Sequence, residues 1–188
     1  MKFEKDLIKI IIQSLIGIVV IIGIVILLGK YVRQPLESLS IVFVDVFGYI
    51  GLFLGMILSD SLPLFIPPDA FLMLAISGNL STGSTILYCS AGSILGGSLA
   101  FAFGKYVIPN LPIGRSWIMK HEHTLVPYVR KYGVGAVILA ALTPIPYSWM
   151  AYTVGTFHMN YGLFLMGSMF RILRFTIYYY AILGGWVV

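Results

Sequence analysis

The sequence predicts an all-α integral membrane fold: two re-entrant, proline-broken helical hairpins forming an inverted repeat, flanked by transmembrane helices. Three observations predict it. The first is composition. Of 188 residues, 59% are hydrophobic and only 10% charged, with a mean hydropathy of +0.97, against roughly 25% charged residues in a soluble domain. The second is a pair of broken stretches, SDSLPLFIPPD at 59–69 and LTPIP at 142–146, each set between short apolar runs. A proline removes a backbone donor and clashes with the preceding turn. At membrane depth such backbone is tolerated only where protein or a water-filled cavity covers it. The third is charge inside apolar sequence: Asp60 and Asp69 in the first break, Arg171 and Arg174 in the last apolar segment.

The chain divides into 1–47, an N-terminal span with an interfacial helix, and 48–188, the membrane domain. Lys2, Lys5 and Lys9 precede an apolar run at 10–29. At about twenty residues it is long enough to cross a bilayer, and no small-x-small cleavage site ends it, so a retained first span is expected. In 30–46, Lys30, Arg33, Glu37 and Asp45 alternate with Leu36, Leu39, Val42, Phe43 and Val46 at helical spacing. That pattern predicts an amphipathic helix in the interface, with Asp45 on its solvated face.

Residues 48–58 are apolar, but about eleven residues cannot cross a core that needs about twenty. Residues 70–76 are shorter still. A re-entrant unit over 48–77 accounts for both lengths, the alternative being one long kinked span with two buried acids. After a turn cluster at 78–84, a full span is expected at 85–104. Its Gly92, Gly96, Ala100 and Gly104 fall every fourth residue, the small-residue stripe that lets helix backbones approach in lipid. The polar stretch 105–131 holds Lys105, Arg115, Lys120, Arg130 and Lys131 against Glu122 alone. By the positive-inside rule it is a cytoplasmic loop. His121 and His123 lie in it without the cysteines or carboxylates that complete a metal site, so no metal is expected. A second re-entrant unit over 134–158 breaks at Pro144 and Pro146, and the last span covers 162–188. With the N-terminus cytoplasmic, the two hairpins enter from opposite sides, as in many secondary transporters. The net charge of +5 is accounted for by residues flanking spans, and no nucleic-acid partner is expected. The single Cys89 can form no internal disulfide.

Arg171 lies roughly ten residues into the last span, near the bilayer centre. Arg174 and Tyr178 continue the same helix face. A charge there costs ~2.5–3.5 kcal/mol even on the lenient insertion scale, so partners are required. Asp60 and Asp69 are the available counter-charges. The four could form a structural ion-pair lock, or line a polar pocket for an anionic headgroup with a carboxylate able to take up a proton. Arginine's planar fork suits phosphate, which points to a phosphate-bearing lipid.

The ordered blocks G-Y-I-G…D…P-x-x-x-P-P-D, GSILGGSLAFAFGK and KYGVGAVILAALTPIPYSWMAYTVGTFHM resemble the DedA family, also called VTT or SNARE-associated membrane proteins, from about Phe47 to the C-terminus. The resemblance implies movement of lipids between leaflets, polyprenyl phosphate and phospholipids among them, through paired re-entrant hairpins. It also implies that Asp60 and Asp69 match the acidic positions of the first hairpin. The main branch of the family carries R-x-x-P-x-x-R at the second break, where this chain has Ala141 and Tyr147. The chain looks instead like a short side branch with TPIP there and R-x-x-R-F in the last helix, here Arg171, Arg174 and Phe175. The expected substrate-binding or coupling set is Asp60, Asp69, Arg171, Arg174, Pro67, Pro68, Pro144, Pro146, Tyr147 and Tyr178.

The expectation is therefore a non-enzymatic, cofactor-free, multi-pass lipid transporter of a bacterial or archaeal plasma membrane. Proton coupling and oligomeric state are left open. The alternatives are an ion-coupled small-solute transporter, a structural or assembly protein, and a lipid-modifying enzyme. Against the last, the sequence has no His-Glu-x-x-His, P-loop or Ser/His/Asp order.

Overall fold

The computed structural model describes residues 42–62, 68–143 and 146–187. The expected span at 10–29, most of the interfacial segment, and Pro67 and Pro144 lie outside the described residues. The described chain is helical, with no strand. Its elements are α1 (Val42–Ser61), then α2 (Asp69–Ser77), α3 (Thr82–Tyr106), a 3-10 turn (Ile108–Asn110), α4 (Pro112–Leu142), α5 (Tyr147–Thr156), α6 (Tyr161–Ser168) and α7 (Phe170–Val187).

The axis of the fold is α3, whose 25 residues make roughly 38 Å of helix. Helix α1 runs beside its first half in the same direction. A Cβ on Gly92 would lie 2.5 Å from the Phe53 carbonyl oxygen, and one on Gly96 would lie 2.7 Å from that of Ile57. The Tyr49 hydroxyl donates to Ser81 Oγ at 3.1 Å and accepts from the Ser81 amide at 3.0 Å. Gly78 sits against Val44. The start of α1 and the end of α2 therefore lie together at the start of α3, and the end of α1 lies halfway along it, where Asp60 meets Ser93.

The second half of α3 carries the second break. Tyr147, the first residue of α5, packs on Gly97. Gly104 lies against the Tyr152 backbone and Gly155 against the Phe101 carbonyl, and Thr156 Oγ1 donates to the Gly104 carbonyl at 3.0 Å. Helix α5 thus runs from the middle of α3 to its far end. The end of α4 runs back alongside, with Gly133 near Met159 and Val137 against Gly167. Helix α7 closes the assembly against α2, α3 and α4; the Thr82 hydroxyl donates to Tyr179 Oη at 3.2 Å. Two apolar cores result, one around Leu52, Met56, Leu72 and Phe175, the other around Phe101, Val137, Val154 and Phe164.

Three details differ from the sequence expectation. Residues 42–47 are not a separate interfacial helix but the first turns of α1, which is 20 residues long and apolar enough to cross a membrane. The length argument for a short first arm therefore fails. Gly48 takes φ +50 inside that helix, a conformation open to glycine without a Cβ clash, so the helix passes the expected boundary with a local distortion. Asp45 is exposed, as its pattern predicts. Second, the stretch 105–131 is mostly helix: Pro112 occupies the first turn of α4, where a missing amide hydrogen costs nothing, and the helix continues past Pro127 to Leu142. Third, 162–188 is not one uninterrupted helix. Ser168 Oγ donates back to the Phe164 carbonyl at 2.8 Å, a bond that bends helices. At Met169 the Ile172 amide reaches only three residues back, at 3.1 Å.

The small-residue stripe contacts two neighbours, Gly92 and Gly96 against α1 and Gly104 against α5. Gly96→Leu should therefore lower folded yield, since overpacking a backbone contact costs about 1–3 kcal/mol or more. Leu95 is exposed, and Leu95→Phe should leave yield unchanged. Size-exclusion profiles of the two variants in detergent check this; equal damage would misplace the packing face.

Candidate functional site

The two breaks and α7 converge on four charges. Asp60, in the last turn of α1, and Arg171, in the first turn of α7, form an ion pair, and their side chains are 4% and 0% exposed. Ser93 on α3 sits between them: Arg171 Nε donates to Ser93 Oγ at 2.6 Å, and Ser93 Oγ donates to Asp60 Oδ2 at 2.5 Å. The guanidinium carbon lies 4.6 Å from the Tyr147 ring centroid and 4.9 Å from that of Phe175. A charge held between two aromatic faces and a carboxylate, away from water, is close to immobile. The Tyr147 hydroxyl donates to Ser168 Oγ at 2.6 Å, which fixes the ring over Arg171.

The second pair is less enclosed, with Asp69 18% exposed. Asp69 is the first residue of α2, after Pro68 in helical conformation (φ −55), where a carboxylate favours the helix N-terminus. Arg174 Nη2 donates to its Oδ2 at 3.0 Å and Oδ1 at 3.3 Å. Arg174 Nη1 donates to the Thr143 carbonyl at 2.8 Å. Thr143 caps α4 at the second break, so one guanidinium ties the first break to the second. Tyr152 Oη adds another tie, donating to the Ser61 carbonyl at 2.5 Å.

The structure thus brings together Asp60, Asp69, Arg171, Arg174, Tyr147 and Tyr178, whose ring centroid lies 4.9 Å from the Arg174 guanidinium carbon. Pro68 and Pro146 precede α2 and α5 at the breaks; Pro146 is exposed. Sequence reading missed Ser93, the Thr143 carbonyl and Ser168. Ser93 lies inside the GSILGG block beside the glycine stripe, and its hydroxyl among small residues was the available signal. Ser93→Ala should leave Arg171 Nε unpaired and cost about 1–3 kcal/mol. Thermal unfolding in detergent reads that loss, and an unchanged melting temperature would make the hydroxyl a bystander.

The donor set suits an oxyanion. Both guanidiniums keep one buried nitrogen, Arg171 Nη1 and Arg174 Nε, without a hydrogen-bond partner, and the Tyr178 hydroxyl is likewise unpaired.

A family model described as the VTT domain matches residues 66–183. An uncharacterized protein of Methanocaldococcus jannaschii is 27% identical over 126 residues, covering 64% of this chain and 74% of the relative. No solved structure matches.

Proposed function

The chain belongs to the VTT domain family of membrane proteins, and on that premise we propose that it moves a phosphate-bearing lipid between the leaflets of a membrane. One observation carries the reading: two arginines, 0% and 4% exposed, meet residues flanking both breaks and retain unpaired donors. Buried guanidiniums are costly, so a chain that needed only packing gains little from them.

In this reading each break is the tip of a re-entrant hairpin, and the two are an inverted repeat. The joined start of α1 and end of α2, with Asp60 halfway along α3, support the first. The parallel run of α5 along the other half of α3 supports the second. The chain acts without catalysis or cofactor. Its partners are membrane lipids, phospholipid or polyprenyl phosphate. Its setting is a prokaryotic plasma membrane, with the basic residues of 105–131 on the cytoplasmic side. Proton coupling through a carboxylate of this set is part of the reading.

Proteoliposomes holding a fluorescent phosphatidic acid and, in parallel, a fluorescent diacylglycerol test this. The protein should accelerate leaflet exchange of the phosphate-bearing probe. Acceleration of neither, or of both equally, contradicts the reading.

A further inference from the structure

The donors left over by the two ion pairs define a ligand site more narrowly than the charges do. Arg171 Nη1, Arg174 Nε and the Tyr178 hydroxyl are buried and unpaired, at i, i+3 and i+7 on one face of α7. Guanidinium nitrogens only donate, and the carboxylates beside them are already engaged. Asp60 Oδ2 accepts from Arg171 and Ser93, and both Asp69 oxygens accept from Arg174. An excess of buried donors is matched by a group that only accepts, an oxyanion.

The two pairs differ in how readily they can exchange. Asp60 is buried with a partner that is itself latched by Ser93 and covered by two rings. Asp69 keeps 18% of its side chain exposed and is held by a single nitrogen at 3.0 and 3.3 Å. Asp69 is the carboxylate that can reach water on leaving, and the buried Arg174 then requires another anion in its place.

We propose, building on the lipid-phosphate reading, that the headgroup oxyanion binds Arg174 and the Tyr178 hydroxyl by displacing Asp69. Arg171 keeps its bonds to Asp60 and Ser93 and adds its unpaired Nη1 to the donors of the site. The Tyr178 ring already lies against the Arg174 guanidinium, and Arg174 keeps its bond to the Thr143 carbonyl. The bound headgroup therefore sits between the two breaks, and the Tyr178 hydroxyl is a ligand-binding group on a ring that packs in the core.

Calorimetric titration of the full chain in detergent tests this with three probes: dihexanoyl phosphatidic acid, dihexanoyl glycerol and inorganic phosphate. Tyr178→Phe keeps the ring and removes only an unpaired hydroxyl. It should leave the melting temperature unchanged or raised, yet weaken phosphatidic acid binding by roughly tenfold or more. Asp69→Asn removes the competing carboxylate and should tighten that binding. Unchanged affinity in Tyr178→Phe, or weaker binding in Asp69→Asn, overturns the proposal while leaving the lipid reading in place. If inorganic phosphate binds as tightly as phosphatidic acid and with the same sensitivity to Tyr178→Phe, the oxyanion site stands and its ligand is free phosphate. Binding of dihexanoyl glycerol equal to that of phosphatidic acid, or binding of neither phosphate probe, overturns both.

Discussion

Arg171→Gln alone should cost about 3–5 kcal/mol and nearly abolish folded protein, as should Asp60→Asn alone. Each change leaves the other partner charged, buried and unpaired, among side chains that admit no water. Arg171→Gln also strips the Ser93 hydroxyl of its donor and uncovers the faces of Tyr147 and Phe175. The double change, Asp60→Asn with Arg171→Gln, should restore most of the folded yield, because no charge then remains to be solvated. Monodisperse protein recovered per cell mass in detergent is the measurement. Yields of the single variants close to wild type would mean that this pair is hydrated in the membrane, contrary to its burial.

If Arg174 serves the proposed lipid exchange, Arg174→Gln should produce the opposite balance, a modest stability loss with exchange reduced to background. Its partner Asp69 is part-exposed and can be hydrated, so stability should fall by about 1–3 kcal/mol, the scale of a charged hydrogen bond lost. Transport should suffer far more, because Arg174 is the side chain that bonds to both breaks, at Asp69 and at the Thr143 carbonyl. Melting temperature and lipid exchange measured on the same preparation separate the two. A variant that melts like Arg171→Gln but still moves lipid would make Arg174 purely structural.

Much of this arrangement was legible in the sequence, because its causes are local. Prolines mark both breaks, and the cost of charge at depth forces arginine and aspartate together whatever the fold. The stripe of Gly92, Gly96 and Gly104 announced close backbone contacts, though not that two different helices make them. What escaped depends on tertiary placement. Ser93 becomes a latch only because α1 runs parallel to α3 and carries Asp60 to its level. The Thr143 carbonyl is an acceptor only because α4 ends opposite α7. Residues 42–47 read as interfacial because Asp45 interrupts them, but a single exposed acid does not end a helix. The polar composition of 105–131 suggested a loop, whereas composition fixes solvent preference and not backbone conformation. At position 147 the family resemblance expects arginine. The tyrosine there is the surface on which Arg171 of α7 lies, so positive charge reaches the second break from another helix.

The role of the buried charges is read by leaflet exchange of fluorescent phosphatidic acid in the folded double variant, Asp60→Asn with Arg171→Gln, reconstituted at the wild-type protein-to-lipid ratio. If the buried charges serve transport, this variant is folded and moves the probe no faster than protein-free vesicles. Exchange at the wild-type rate would contradict the account and leave the Asp60–Arg171 pair as a structural lock.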